Sequence, residues 1–256
     1  MFQDGYQMTC NVGVGKWNFL QKNPLGYFIS SMLAGMFVSF GSFIAFTLGQ
    51  AANAGGAVAF VKLIQAFAFS SALSLVITAG AELFTGNNFV MAAASMRKMV
   101  SWVDTIKLWS ICWIGNLLGS VLSVVAFQLT GAPTASDGAL ADYFIQVSTG
   151  KVGYSPVSLV VRAILCNILI CLAIWCFVKM KSESGKLIMV FWCILIFMGC
   201  GFEHCIANMS IIGVAVFNHG VTLGQYFYNI LWATVGNVIG GVVFVALPYY
   251  IISKEC

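Results

Sequence analysis

Gly80-Ala81-Glu82-Leu83-Phe84-Thr85-Gly86-Asn87-Asn88 stands inside an apolar run extending from about 60 to 94. Gly199-Cys200-Gly201-Phe202-Glu203-His204-Cys205-Ile206-Ala207-Asn208 stands inside another, from about 187 to 217. A straight helix needs only ~20 apolar residues to cross a bilayer, so both runs are too long for one. Glycines, carboxylates and amides at that depth cost several kcal/mol when they face lipid; they are tolerated where protein buries them or a cavity receives them. Each run is therefore expected to be a broken helix. The two breaks also resemble each other. Glu82 and Glu203, Asn87 and Asn208, Gly115 and Gly236, Asn116 and Asn237, and Gly119 and Gly240 are all separated by 121 positions. Around the later pairs, WIGNLLGSVLSVVAF and TVGNVIGGVVFVALP align without a gap.

Working outward, four more apolar runs lie at about 25–48, 106–130, 157–180 and 226–252. The expected fold is all-α and integral to a membrane, with six transmembrane helices of which the second and fifth are broken. Each repeat holds three spans, an odd number, so the second copy enters the membrane from the opposite side. The whole chain, 1–256, reads as a single transmembrane domain. Repeat one covers about 25–131, repeat two about 146–252, and 1–24 is an N-terminal segment on the cytoplasmic side. Composition agrees. The chain is 60% hydrophobic and 8% charged, with a mean hydropathy of +0.94, where a soluble domain carries roughly a quarter charged residues. Membrane lipid is the implied surrounding.

Basic residues set the orientation. With the N-terminus inside, Lys16, Lys22, Arg97, Lys98, Lys107, Lys179, Lys181, Lys186 and Lys254 fall on the cytoplasmic side, and Lys62, Lys151 and Arg162 on the outer side. That bias places both termini in the cytoplasm. The N-terminal stretch lacks a basic start followed by an apolar core and a small-residue site, so no removable signal peptide is expected. The net charge of +4 is scattered over segment ends with no basic, aromatic-interleaved run, which argues against a nucleic-acid partner. Of the nine cysteines, Cys112, Cys166, Cys171, Cys176, Cys193, Cys200 and Cys205 lie in or beside apolar runs, and no CxxC pair occurs. They read as small core residues rather than metal ligands. With no metal cluster, nucleophile–base pair or cofactor fingerprint, a membrane-embedded enzyme and a bound cofactor are not expected.

The breaks carry the chemistry. Each creates a half-helix whose amide end lies within the membrane and would favour an anion, or at least disfavour a cation; pores for neutral solutes share this geometry. Thr85 stands where an N-cap would open a half-helix beginning near Gly86. Glu82 and Glu203 are expected to accept hydrogen bonds from the loose backbone of their own breaks, with proton relay the competing role. Asn116 and Asn237 are expected to hydrogen-bond those loops, while their glycine-rich contexts let helices approach closely. His204 breaks the symmetry, since Leu83 is its counterpart. A lone imidazole in an apolar tunnel would be neutral, and could donate one hydrogen bond or relay a proton. Lys151 is either a solvated loop residue or an electrostatic funnel for anions.

With those residues in view, the chain resembles the formate/nitrite transporter family over nearly its whole length. The resemblance rests on Ala81-Glu82-Leu83-Phe84-Thr85-Gly86, Cys166-Asn167-Ile168-Leu169-Ile170-Cys171-Leu172-Ala173-Ile174-Trp175 and Gly201-Phe202-Glu203-His204-Cys205-Ile206-Ala207-Asn208-Met209. It implies an aquaporin-like inverted-repeat fold, a homopentamer in the cell membrane, and one substrate pore per protomer. Carried over by motif, the pore residues are His204, Leu83, Thr85 and Lys151, the last sixteen residues before Asn167 of the fourth-span motif. Phe69, Leu73 and Phe197 would form apolar constrictions; without the resemblance they read as core. Asn87 and Asn208 fall among the break-stabilising groups. Gly86-Asn87-Asn88 departs from the hydroxyl-rich continuation of the formate-channel subgroup and looks closer to the nitrite and hydrosulfide members.

The function implied is a channel or transporter for a small monovalent weak-acid anion, namely formate, nitrite or hydrosulfide, coupled to protonation in the pore. The alternative is an aquaporin-like pore for a neutral small solute, against which stands the lack of paired Asn-Pro-Ala at the breaks. The charge bias makes one prediction. A reporter active only in the cytoplasm should give signal when fused at Cys256 and none when fused near Ala139. Signal from the Ala139 fusion would overturn the inverted arrangement.

Overall fold

The computed structural model describes residues 2–254; Cys256, the proposed fusion point, lies outside them. All regular structure among the described residues is helical, without a strand. The helices are α1 (Phe2–Lys22), α2 (Pro24–Ala54), α3 (Val61–Phe69), α4 (Ser71–Thr78), α5 (Phe84–Met96), α6 (Trp102–Leu129), α7 (Ala139–Val152), α8 (Pro156–Lys179), α9 (Glu183–Gly199), α10 (Cys205–Phe217), α11 (Leu223–Gly241) and α12 (Leu247–Ile252). Five stretches are long and apolar enough to cross a membrane: Pro24–Ala54, Val58–Thr78, Trp102–Leu129, Pro156–Lys179 and Leu223–Ile252. Where the sequence predicts a fifth run, the chain is divided between α9, of 17 residues, and α10, of 13.

Local chemistry starts the long helices. Asn23 accepts from the Gly26 amide ahead of α2, and Ser101, Ser155 and Ser182 do the same for α6, α8 and α9. Thr222 and Gln225 form a reciprocal capping box at α11. Such caps satisfy amides that the first turn leaves free. The helix-start expectation at Thr85 is corrected. α5 begins at Phe84 with Leu83 as its cap residue, so Thr85 is inside the first turn and its hydroxyl is free for another partner.

Equivalent positions adopt equivalent conformations. Gly80 and Gly201 both take positive φ, 76° and 69°, where the chain leaves its helix. Lys98 and His219 also do so, at 59° and 60°, just beyond α5 and α10. Only the offset changes along the chain. Ser148 Oγ of α7 donates to the Ile211 carbonyl, where Gly13 of α1 lies against the Val90 carbonyl. That pairing sets α1 and α7 apart by 148 − 13 = 135 positions. The backbone contacts of Ser30 and Arg162 set α2 and α8 apart by 162 − 30 = 132. From the breaks onward the offset is 203 − 82 = 121. The two segments α1 and α7, which the sequence reading left outside or at the edge of the repeats, therefore occupy matching places.

Glycine draws the repeated helices together. A Cβ on Gly119 would run into the Met32 carbonyl of α2, and one on Gly240 into the Ile164 carbonyl of α8. One turn earlier Gly115 faces Ser31 and Phe28, and Gly236 faces Ala163 and Val160. These contacts hold α6 on α2 and α11 on α8 at backbone distance, the geometry that small residues permit between membrane helices. Backbone cannot yield as a flexible side chain can, so Gly119→Ala and Gly240→Ala should each lower the thermal midpoint of the solubilised protein by several degrees. Gly15→Ala, whose Cβ meets nothing within 4 Å, should leave it unchanged or slightly raised. Equal midpoints for all three variants would refute close backbone packing.

Candidate functional site

The chain is out of helix from Ala79 to Leu83 and from Cys200 to His204; each segment begins exposed and ends buried, at Ala81–Leu83 and at Glu203–His204. Their peptide groups must find partners outside a helix. One asparagine serves each segment in the same way. Asn116 Oδ1 accepts from the Phe84 amide at 2.9 Å, and Asn237 Oδ1 from the Cys205 amide at 2.9 Å. Asn116 Nδ2 donates to the Glu82 carbonyl at 2.9 Å and to the Ser31 carbonyl at 2.7 Å. Asn237 Nδ2 donates to the Glu203 carbonyl at 3.0 Å and to the Ala163 carbonyl at 2.8 Å. Each amide thus bridges a half-helix start, the segment before it and a neighbouring helix.

The carboxylates face polar groups rather than the loose backbone anticipated for them. Glu82 Oε2 accepts from Asn87 Nδ2 at 3.0 Å, and Glu203 Oε2 from Asn208 Nδ2 at 2.6 Å. Both also receive a lysine. Lys16 Nζ of α1 is 2.8 Å from Glu82, and Lys151 Nζ of α7 is 2.8 Å from Glu203. Lys151 is therefore an ion-paired residue with a side chain only 15% exposed, and its charge is matched within the protein. Outer partners differ between the ends. Asn87 donates to the Tyr27 hydroxyl, while Asn208 donates to Asn229, which in turn holds the Lys151 carbonyl. Trp109 Nε1 donates to the Asn87 carbonyl at 3.0 Å.

Between the half-helices lies the contact that departs from symmetry. His204 Nδ1 accepts from the Ala207 amide at 3.0 Å, capping α10. A ring nitrogen that accepts a hydrogen bond carries no proton, so the proton of the neutral ring is on Nε2. Nε2 lies 3.0 Å from Thr85 Oγ1. Both residues are buried. On one side of this pair, Phe197 stacks on the imidazole with ring centres 5.9 Å apart, and Phe69 meets Phe197 edge-on at 5.7 Å. Leu73 and Leu83 line a cavity of about 430 Å³ that Lys16, Glu82, Gly86 and Asn87 also border. Asn167 sits behind Thr85, donating to the Asn237 carbonyl at 2.6 Å, Asn88 Oδ1 at 3.1 Å and the Thr85 carbonyl at 3.3 Å.

The structure thus brings Thr85, His204, Phe197 and Phe69 into successive contact, with Asn167 bonded to the Thr85 carbonyl, while Leu73 and Leu83 line the cavity that Gly86 also borders. Sequence reasoning missed Lys16, Tyr27 and Asn229. A signal for Lys16 existed: a carboxylate at membrane depth requires a partner, and few basic residues were within reach. Among the described residues no His, Cys, Asp and Glu grouping could hold a metal ion. The pairing predicts unequal costs at the two ends. Lys151→Met leaves Glu203, whose side chain is 1% exposed, as an unmatched buried charge, which costs about 3–5 kcal/mol. Lys16→Met should cost less, because the Glu82 side chain is 11% exposed beside a cavity. Thermal unfolding in detergent checks the order; the reverse order would contradict the burial difference.

Comparison with known proteins supplies the wider setting. The formate/nitrite transporter family profile matches residues 3–251. The nitrite transporter NirC of Salmonella typhimurium is 34% identical over 232 residues, covering 89% of this chain and 83% of that protein. The formate channel FocA of Escherichia coli K12 is 30% identical over 254 residues, covering 90% and 87%. Among solved structures, an FNT family ion channel superposes with a TM-score of 0.90 at 31% identity, covering 98% of this chain and 99% of that one. A pentameric formate channel with formate bound shares the fold, with a TM-score of 0.78 at 24% identity, covering 92% and 99%.

Proposed function

This chain belongs to the formate/nitrite transporter family of multi-pass membrane proteins, and we propose that it passes nitrite, formate or hydrosulfide through a pore in each protomer of a homopentamer in the cell membrane. Both termini face the cytoplasm in this reading, so the Glu82 end is inner and the Glu203 end outer. The observation that carries it is the Thr85–His204 contact between two half-helix starts, with Phe197 stacked on the imidazole and Phe69 edge-on to Phe197. Membership supports a small-anion substrate. Relatives named for nitrite, at 34% identity, and for formate, at 30% and 36%, match over similar shares of the chain, so identity does not rank the two substrates.

The geometry suggests how a charged solute crosses an apolar constriction. Two half-helices direct amide ends towards the site, and Lys16 and Lys151 hold the adjacent carboxylates in ion pairs. The anion is drawn to that field. Carrying it bare past Phe69 and Phe197 costs several kcal/mol, which protonation removes. His204 is not suited to be the source of that proton. Its Nδ1 is committed to the Ala207 amide, so giving up the Nε2 proton would leave an anionic ring. The acid instead takes its proton from water in the vestibule, and His204 Nε2–H with the Thr85 hydroxyl gives the crossing molecule a donor and an acceptor. The chain acts as a conduit, without a covalent step.

Uptake of labelled nitrite or formate by proteoliposomes across a pH series tests this. Transport should rise as outside pH falls, because the neutral fraction grows with proton concentration. His204→Asn keeps a donor and should retain much of the transport. His204→Phe keeps a ring without a donor and should reduce it at least tenfold while leaving assembly intact. A phenylalanine variant equal to wild type at every pH would remove His204 from the mechanism. Swelling in glycerol faster than in formate would favour a neutral-solute pore instead.

A further inference from the structure

Ser30 and Arg162 occupy equivalent positions on α2 and α8, and each clamps the adjacent break twice. The Ser30 carbonyl accepts from the Glu82 amide at 3.2 Å, and its hydroxyl lies 3.4 Å from the Gly80 carbonyl. The Arg162 carbonyl accepts from the Glu203 amide at 3.4 Å, and its Nη1 donates to the Gly201 carbonyl at 2.8 Å. A neutral hydroxyl therefore does at one end what a guanidinium does at the other. The clamp does not need a charge, since Ser30 provides it without one.

What the charge adds follows from its surroundings. Arg162 Nε donates to Ser158 Oγ at 3.3 Å, and the guanidinium carbon lies 4.3 Å from the centre of the Tyr154 ring. A guanidinium has five N–H donors, and these contacts use two. The other three have no acceptor among the described residues, and no carboxylate pairs with Arg162 there. Lys16 and Lys151, by contrast, are both neutralised by glutamates. The side chain is half-buried beside Gly201 and Phe202, themselves half-exposed. In the other copy, the equivalent Gly80 and Ala81 border the 430 Å³ cavity. Arg162 thus stands at the rim of the Glu203 end as a fixed cation with unused, coplanar donors, steadied by Tyr154.

We infer that Arg162 is the anion-capture residue of the Glu203 mouth, and that it selects small planar anions bearing two oxygens. The inference rests on the transport reading above. Formate and nitrite each offer two oxygens to a planar fork, which binds such groups through paired hydrogen bonds. Hydrosulfide offers one acceptor atom and gains only the charge. Lysine in the same place would supply a point charge without the fork.

Arg162→Ser copies the residue that already clamps the other break, so it removes the charge with the least disturbance to the fold. Uptake of labelled formate and nitrite is measured in intact cells lacking other carriers for them, with sucrose balancing osmolarity at low salt. The half-saturating concentration should rise at least threefold in Arg162→Ser at low ionic strength, with the maximal rate unchanged. The gap should narrow at high ionic strength, where screening weakens the wild-type field. Arg162→Lys should restore hydrosulfide uptake to the wild-type level but formate and nitrite uptake only in part. A serine variant that matches wild type at low salt overturns the inference. So does one that loses maximal rate equally at every salt concentration, because that marks a damaged break. If the wild-type chain takes up neither formate nor nitrite, the transport reading has failed and this inference with it.

Discussion

Glu82 and Glu203 are buried carboxylates beside backbone that has left its helix inside a membrane protein. Burial takes most of each carboxylate out of solvent, and lipid offers no hydrogen bonds, so both the charge and the peptide groups need partners from the protein. The asparagine of a neighbouring helix satisfies the peptide groups. A lysine from α1 or α7 satisfies the charge. A second asparagine, one turn into the half-helix, donates to Oε2 of each carboxylate, an oxygen that at Glu82 the lysine also meets. Remove any of these and a polar group is stranded in a low-dielectric interior, where an unmade bond costs more than a made one gains.

That requirement propagates into the packing. Asn116 reaches the Ser31 and Glu82 carbonyls only because α6 lies against α2 at backbone distance, which Gly115 and Gly119 permit. Asn237 reaches Ala163 and Glu203 by the same route through Gly236 and Gly240. The glycine and asparagine of each repeated pair therefore form one device: close approach by the first makes the second long enough. The amphipathic segments α1 and α7 are recruited for their lysines, and they pack on α5 and α10 at matching places.

The breaks were legible because their demands are local. Glycine, carboxylate and amide inside an apolar run can mean little else, and the offset of 121 holds without gaps from Glu82 to Gly119. That each lysine pairs with a break carboxylate was not read from the repeat offset. Lys16 and Lys151 are related by 135 positions and Ser30 and Arg162 by 132, so a single offset hides both pairs. The connections between segments differ in length, and segments meet in space through packing that spacing does not record. The same limit explains Thr85. Its type suits an N-cap, but Asn116 already meets the Phe84 amide, which starts α5 earlier and leaves the threonine hydroxyl free. Spacing alone read Phe69, Leu73 and Phe197 as core, and only the family resemblance singled them out as candidate constrictions.

The scaffold is symmetric, but a symmetric version of it would have no such centre. The equivalents of Leu83 and Thr85 are His204 and Ile206, each 121 positions on. Two copies of the first kind would oppose leucine to threonine across the gap between the half-helices, leaving the hydroxyl facing a hydrocarbon. Two copies of the second would oppose histidine to isoleucine, leaving the Nε2 proton without an acceptor. The contact at 3.0 Å exists because each copy has given up one polar position and kept the other. His204 can do so only while it also caps α10, since that cap fixes which nitrogen points at Thr85. The loss of symmetry at these two positions sets one ring N–H against one hydroxyl between the two half-helix starts, a polar pair that neither copy could form with a duplicate of itself.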